Sequence, residues 1–117
     1  MAIEIEQLKP ITLASGDTLT QPVTVYDDDS DEDELKDLLG ASVSWSLRRL
    51  TTGTVLLDEG DEGVSVDIDS DESLVTIELG KGATEGINGS FRQVLRVTDV
   101  EGRQNTSSGP FEIKRYD

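Results

Sequence analysis

The sequence predicts an all-β chain: an antiparallel β-sandwich of seven to nine short strands, forming a single domain over residues 1–117. Three observations predict it. Apolar and polar residues alternate with a period of two through most of the chain, the pattern of strands with one buried and one wet face. Turn residues interrupt that alternation at intervals of roughly 8–12 residues, the spacing of sandwich strands. No long helical periodicity and no internal repeat is visible.

In chain order, Ile3 and Ile5 alternate with Glu4 and Glu6, and Ile11 and Leu13 follow Pro10. Ala14-Ser15-Gly16-Asp17 reads as a turn. Leu19, Val23 and Val25 share one face of the next strand, with Thr20 and Thr24 on the other. Pro22 has no N–H to give to a ladder, so this strand is expected at an edge or with a bulge. Asp27 to Glu34 holds seven carboxylates in eight residues, a solvated loop that runs on to Asp37. Glu34 to Leu39 has the pattern of one helical turn closed by Gly40.

Ala41, Val43, Trp45 and Leu47 alternate with serines in the clearest strand of the chain, and Trp45 is expected at the centre of the core. Thr51-Thr52-Gly53 turns into a strand through Val55 and Leu57. Gly60 to Gly63 turns into Val64, Val66 and Ile68, and Asp69 to Glu72 turns into Val75, Ile77 and Leu79. Gly80 to Gly89, with four glycines in ten residues, reads as a loop. Phe91, Gln93, Leu95 and Val97 form one face of a strand and Arg92 and Arg96 the other. After the turn Asp99-Val100-Glu101-Gly102, Arg103 to Pro110 reads as polar and irregular, and Phe111 and Ile113 close the fold. The coherent architecture is a sandwich of immunoglobulin-like type, with a small closed barrel as the alternative.

Composition narrows function. The chain has no histidine and no cysteine, and 25 Asp and Glu against 10 Lys and Arg give a net charge of −15. The usual general base, the soft metal ligands, the thiol nucleophile and the disulfide are all missing. Carboxylates alone can run glycoside hydrolysis. That chemistry needs a cleft with aromatic platforms, and aromatics are only 4% of this chain, so no catalytic residue and no enzyme is expected. The negative surface repels nucleic acid and anionic lipid, so neither is an expected partner. No segment approaches the apolar length of a membrane span, and Met1 to Glu6 lacks the features of a secretion signal. A carboxylate surface with only four lysines suits concentrated salt, where the screening length falls to about 3 Å. A haloarchaeon or one of its viruses is the expected source; an acidic mesophilic protein is the alternative.

Gly16-Asp17-Thr18, a strand ending in acidic residues, and the run Asp37-Leu38-Leu39-Gly40-Ala41-Ser42-Val43-Ser44-Trp45-Ser46-Leu47 form a recognisable pattern with Gly89-Ser90-Phe91 and Asp99-Val100-Glu101-Gly102. Together they resemble the immunoglobulin-like N-terminal domain of the baseplate upper proteins of tailed phages and related virion structural domains. The resemblance runs from Gly16 to Phe111. It implies a virion structural protein, assembled in the host cytoplasm, that docks on capsid or tail/baseplate subunits as a homo-oligomer in the particle. It brings no catalytic residues. The chain departs from the pattern in its length, its acid loop and Phe91, where tyrosine is frequent, which leaves head and tail positions both open.

Candidate contacts follow from exposure: Asp29, Asp31 and Asp33 in the acid loop, the Gly80–Gly89 loop, strand edges, and Arg92 and Arg96. The arginines suit either intramolecular pairing with surface carboxylates or a stripe that meets the acidic face of a neighbouring copy. Asp67, Asp69, Asp71 and Glu78 fall at positions one, three, five and twelve of a calcium-loop spacing. Glu72 stands where that loop needs glycine and the flanks read as strands, so no cofactor is expected and calcium is the weak alternative. Asn88 and Asn105 fit the glycosylation pattern and fall in expected loops. A haloarchaeal adhesion or carbohydrate-binding sandwich is the alternative function, and a calcium-dependent module a third.

Overall fold

The computed structural model describes residues 3–5, 7–27, 38–70 and 72–115. Among them nine strands form two sheets: β1 (Ile3–Ile5), β2 (Ile11–Ala14), β3 (Leu19–Asp27), β4 (Ser42–Arg49), β5 (Val55–Asp58), β6 (Val64–Asp69), β7 (Leu74–Leu79), β8 (Gly89–Thr98) and β9 (Gln104–Lys114). One sheet has the order β1-β3-β7-β6 and the other β2-β9-β8-β4-β5. The ladders are antiparallel except β2 with β9, which is parallel. The N-terminal chain therefore serves both sheets. It leaves the first after Ile5 and enters the second at Ile11, across a segment that includes Pro10.

That crossover is anchored by Leu8, which is buried against the core. Its carbonyl lies so close to β9 that a Cβ on Gly109 would sit 2.7 Å from it, so this position tolerates no side chain without a backbone shift. Against expectation, β3 is neither an edge strand nor bulged at Pro22, since it lies between β1 and β7 in unbroken register, yet Pro22 is accommodated locally. It pairs with Thr76 on one side, while β1 reaches only Val25 to Asp27 on the other, so its missing N–H is not needed. Pro110 follows the same rule: it lies opposite Arg92 of β8, and the ladder with β2 begins only at Phe111.

Two further expectations are corrected. Residues 104–110 are not irregular but form the first half of β9, because β8 is long enough to pair with all of it, from Thr98↔Gln104 to Arg92↔Pro110. A neighbouring strand satisfies the backbone whatever the side chains. The Gly80–Gly89 segment contains one helical turn, α1 (Lys81–Thr84), in which Thr84 is fully buried. Its hydroxyl donates to the Asp17 carbonyl at 2.8 Å and accepts from Gly16 N–H at 3.0 Å, tying the β2–β3 turn to this loop. Of the helical turn expected at Glu34 to Leu39, residues 34–37 lie outside the described residues. Leu38 is buried, and Gly40 makes the turn with φ of 79°.

The core between the sheets is aliphatic, from Val23, Val25, Leu47, Val75, Ile77, Leu79, Leu95, Val97 and Ile113, with Trp45, Phe91 and Phe111 as its aromatic members. Trp45 is 1% exposed, as its central position requires. Against it lies a polar cluster. Gln21 of β3 and Gln93 of β8 exchange amide hydrogen bonds across the sandwich, Gln21 Nε2 to Gln93 Oε1 at 2.9 Å and Gln93 Nε2 to Gln21 Oε1 at 3.1 Å. Trp45 Nε1 donates to the same Gln93 Oε1 at 3.1 Å. The indole can only donate, so it dictates that the Gln93 oxygen faces it and the amide nitrogen faces Gln21.

The strand order matches the immunoglobulin sandwich, with β1-β3-β7-β6 as strands A, B, E and D, and β9-β8-β4 as G, F and C. In antibody domains a disulfide joins strands B and F beside a tryptophan on C. Here the Gln21–Gln93 pair spans the same two strands against Trp45. Phe91, two residues before Gln93, holds the place of the corner tyrosine and is itself buried, with no hydroxyl to bond.

Replacing Gln93 with Leu leaves the Gln21 amide and the Trp45 N–H unpaired in the core, and urea unfolding is expected to show a loss of about 2–4 kcal/mol. Adding Gln21→Leu to that variant costs little more or recovers stability, because it removes the orphaned amide. Additive losses in the double-mutant cycle would show that the pair is not coupled.

Candidate interaction surface

Because Gln93, Leu95 and Trp45 point inward, period two sends Arg92, Val94 and Arg96 of β8 and Ser44, Ser46 and Arg48 of β4 to the outer face of the five-stranded sheet. Thr106 and Ser108 of β9 continue that face, opposite Arg96 and Val94. Arg48 stands directly across from Arg92. Each guanidinium is held by a hydroxyl: Arg48 Nε donates to Ser46 Oγ at 3.0 Å, Arg92 Nη1 to Ser108 Oγ at 3.2 Å, and Arg96 Nε to Thr106 Oγ1 at 3.2 Å. None of the three makes an ion pair with a described carboxylate. The ion pairs drawn by Arg103, to Asp99 at 2.8 Å and to Glu101 at 3.6 Å, lie in the β8–β9 turn.

Carboxylates on this face stand on its flanking strands. Asp58 of β5 lies opposite Ser46, with its Oδ1 accepting from Gly60 N–H at 2.9 Å, and Glu112 of β9 lies between Ser90 and Thr12. Two like charges facing each other across a ladder are unfavourable. Arg48 and Arg92 are therefore kept at a cost on a chain whose carboxylates outnumber its cations 25 to 10.

The outer face of the four-stranded sheet has the opposite character. It carries Asp67 and Asp69 of β6 and Glu78 of β7 among Thr20, Pro22, Thr76 and Ser65, with no cation among the described residues. The calcium-loop spacing is laid out along this hairpin. Asp67 pairs with Thr76, Asp69 with Leu74, and Glu78 with Ser65 at the end away from the turn. Asp69 Oδ1 accepts from Glu72 N–H at 3.3 Å, and Asp71 lies outside the described residues. Among the described residues no three acidic side chains converge on a point where a metal ion would fit.

Asp29, Asp31 and Asp33 also lie outside the described residues. Leu39 and Val100 are both 73% exposed, with Gly40 packed against Val100. Beside Val100, the buried Asp99 carboxylate organises the turn. Its Oδ1 accepts from Glu101 N–H at 2.9 Å and Arg103 N–H at 2.8 Å, and its Oδ2 from Arg103 Nε at 2.8 Å. Asn88 is exposed in the loop before β8, whereas Asn105 lies within β9 and is half-buried, not in a loop as expected. A groove of about 280 Å³ follows the N-terminal crossover, lined by Leu8, Ile11, Leu19, Gln21, Pro22 and Val23, and the amide of Gln21 is already engaged by Gln93.

The exposure of Arg92 and Arg96 is legible from alternation alone. Their lack of carboxylate partners, and the company of Arg48, are not, because both depend on which strands become neighbours.

No protein-family model matches the chain, and no curated protein sequence matches it. Solved structures do. The N-terminal Ig1-2 module of the Drosophila receptor protein tyrosine phosphatase DLAR superposes with a TM-score of 0.62 at 10% identity, over 100% of this chain and 51% of that one. The GspB Siglec domain superposes at 0.61 and 14% identity, over 99% of this chain and 59% of that one. The BIgI domain of the S. agalactiae beta protein, solved bound to CEACAM1, superposes at 0.54 and 13% identity, over 98% and 99%. At these identities the likeness establishes an immunoglobulin-like fold.

With no ion pair to a described carboxylate, Arg92 and Arg96 are expected to contribute little to folding. The double variant Arg92→Ser, Arg96→Ser is expected to unfold in urea within about 0.5 kcal/mol of the parent. Arg103→Ser, which strips the buried Asp99 of its charged donor, is expected to cost about 1–3 kcal/mol in the same assay.

Proposed function

We propose that this domain is a non-catalytic assembly module, a structural subunit of a tailed virus of a halophilic host, which docks on capsid or tail/baseplate subunits through the arginine-bearing face of its five-stranded sheet. The observation that carries the docking reading is the set of exposed guanidiniums at Arg48, Arg92 and Arg96, held by hydroxyls and without carboxylate partners. On so acidic a chain, arginine placed for stability alone would sit beside a carboxylate, as Arg103 does. Arginine left planar, exposed and pre-oriented suits bidentate recognition of carboxylates on another surface. The viral setting is supported by the sequence resemblance, whose Gly16-Asp17 turn is the one tied to Thr84. That a sandwich of this fold can serve as a docking module has a precedent in the BIgI domain bound to CEACAM1.

Docking through a sheet face fits better than docking through strand edges. β1, β2 and β5 are short, of 3, 4 and 4 residues, and β5 also carries a bulge at Leu56. β6 carries Asp67 and Asp69, and the uncovered stretch of β3 contains Pro22. These are the devices that block strand addition.

Two measurements test the proposal. The chain is expected to remain with particles purified through a density gradient in molar salt from the organism that encodes it, at many copies per particle. Its absence from intact particles, or its recovery on the cell surface, overturns the viral reading. The melting temperature is expected to rise between dilute buffer and about 2 M potassium chloride, as screening relieves the repulsion of a chain with net charge −15. A flat or falling trend removes the halophilic host.

A further inference from the structure

We infer that the partner of the arginine face is a second copy of this chain, which presents the outer face of its four-stranded sheet so that copies stack head to tail. The inference rests on the docking reading above and names its occupant.

The two outer faces are complementary within one molecule. One carries Arg48, Arg92 and Arg96 on its two central strands, with Asp58 and Glu112 on the flanking ones; the other carries Asp67, Asp69 and Glu78 with no described cation. Their spacing corresponds as well. Arg48 is opposite Arg92, and Arg96 lies four residues further along that neighbouring strand. Asp69 is opposite Leu74, and Glu78 lies four residues further along that neighbouring strand. Each set is thus spanned by a diagonal of four residues along and one strand across, roughly 14 Å at ordinary strand rise and strand separation. The ends of one diagonal can be brought onto the ends of the other by rotating one copy on its neighbour. Asp67 lies two residues inside the acidic span, and Arg92 stands beside Arg48 at one end of the arginine span.

The contact joins different faces of the two copies, so it is heterologous. It leaves an arginine face free at one end of the stack and an acidic face at the other. Repeated, it builds a ring or an open filament according to the rotation per step. Net charge sets the conditions. Two copies of charge −15 repel at long range in dilute salt, whereas at about 1 M salt the screening length is about 3 Å and only groups in contact interact. Self-association is therefore expected to grow from dilute to molar salt.

The test is sedimentation of the full chain at up to about 1 mM, in dilute and in about 2 M potassium chloride. It includes two charge-reversed variants that are first checked for unchanged melting. One carries Arg92→Glu and Arg96→Glu; the other carries Asp67→Arg and Glu78→Arg, sparing Asp69 because it holds the turn at Glu72. The parent is expected to self-associate in molar salt. Each variant alone is expected to associate at least about tenfold more weakly, since two exposed charges of the contact are reversed in each. Mixing the two variants is expected to restore association, because each then meets an oppositely charged face. The inference is overturned by a parent that stays monomeric at the highest concentration in molar salt. It is equally overturned by variants that associate as the parent does, or by folded variants whose mixture stays monomeric. A monomeric parent whose incorporation into particles still depends on Arg92 and Arg96 would discard self-stacking and keep docking. A parent that stacks but is absent from particles would discard the virion and keep the contact.

Discussion

The bond between Gln21, Gln93 and Trp45 is the constraint on which the rest of this sandwich depends. Aliphatic burial holds the sheets together but does not say how they are aligned, because it is proportional to area and has no direction. A buried amide pair does. If one sheet slid along the other by a pleat, two amides and an indole N–H would be stranded in a core where Gln93 is 0% exposed, each at a cost of about 1–3 kcal/mol. A chain with no cysteine thus obtains by hydrogen bonding part of what a disulfide supplies covalently in antibody domains. It differs in one respect: a disulfide also restricts the unfolded chain, and the amide pair acts only on the folded state.

The consequence reaches the surface through parity. With Gln93 pointing inward, Arg92 and Arg96 must point outward, and with Trp45 inward, Arg48 must point outward. The same parity places Thr106 and Ser108 where they hold those guanidiniums. The arginines of this face therefore project from strands whose orientation is set by the core, not from loops. Rigid arrays lose less entropy on docking than loops that must first be ordered.

Much of the fold was legible in the sequence because period-two alternation is a strong local signal. It places the strands around Trp45 and Phe91 and the turns at Gly16, Gly60 and Asp99. The first half of β9 was not legible, since Gln104 to Pro110 contains no apolar residue apart from Gly109 and Pro110, and its strand state is imposed by β8. The buried cluster was half legible. Alternation puts Gln21 and Gln93 on apolar faces, and a polar side chain in an apolar register is itself a signal. Which buried group each would meet depends on strands far apart in sequence. The arginines divide the same way: their outward direction follows from local pattern, and the hydroxyls that hold them follow from topology.

Charge on this molecule is consequently partitioned, not merely abundant. A chain of net charge −15 offers its arginines many carboxylates, and exposed pairs of that kind contribute little to stability. Gathering Arg48, Arg92 and Arg96 among hydroxyls gives up those pairs and sets two like charges face to face on adjacent strands. The arrangement gains nothing for the isolated fold. The docking proposed above would bring carboxylates from outside the molecule to that face. In concentrated salt, at a screening length of about 3 Å, only carboxylates in direct contact would act on that face, and distant ones would not.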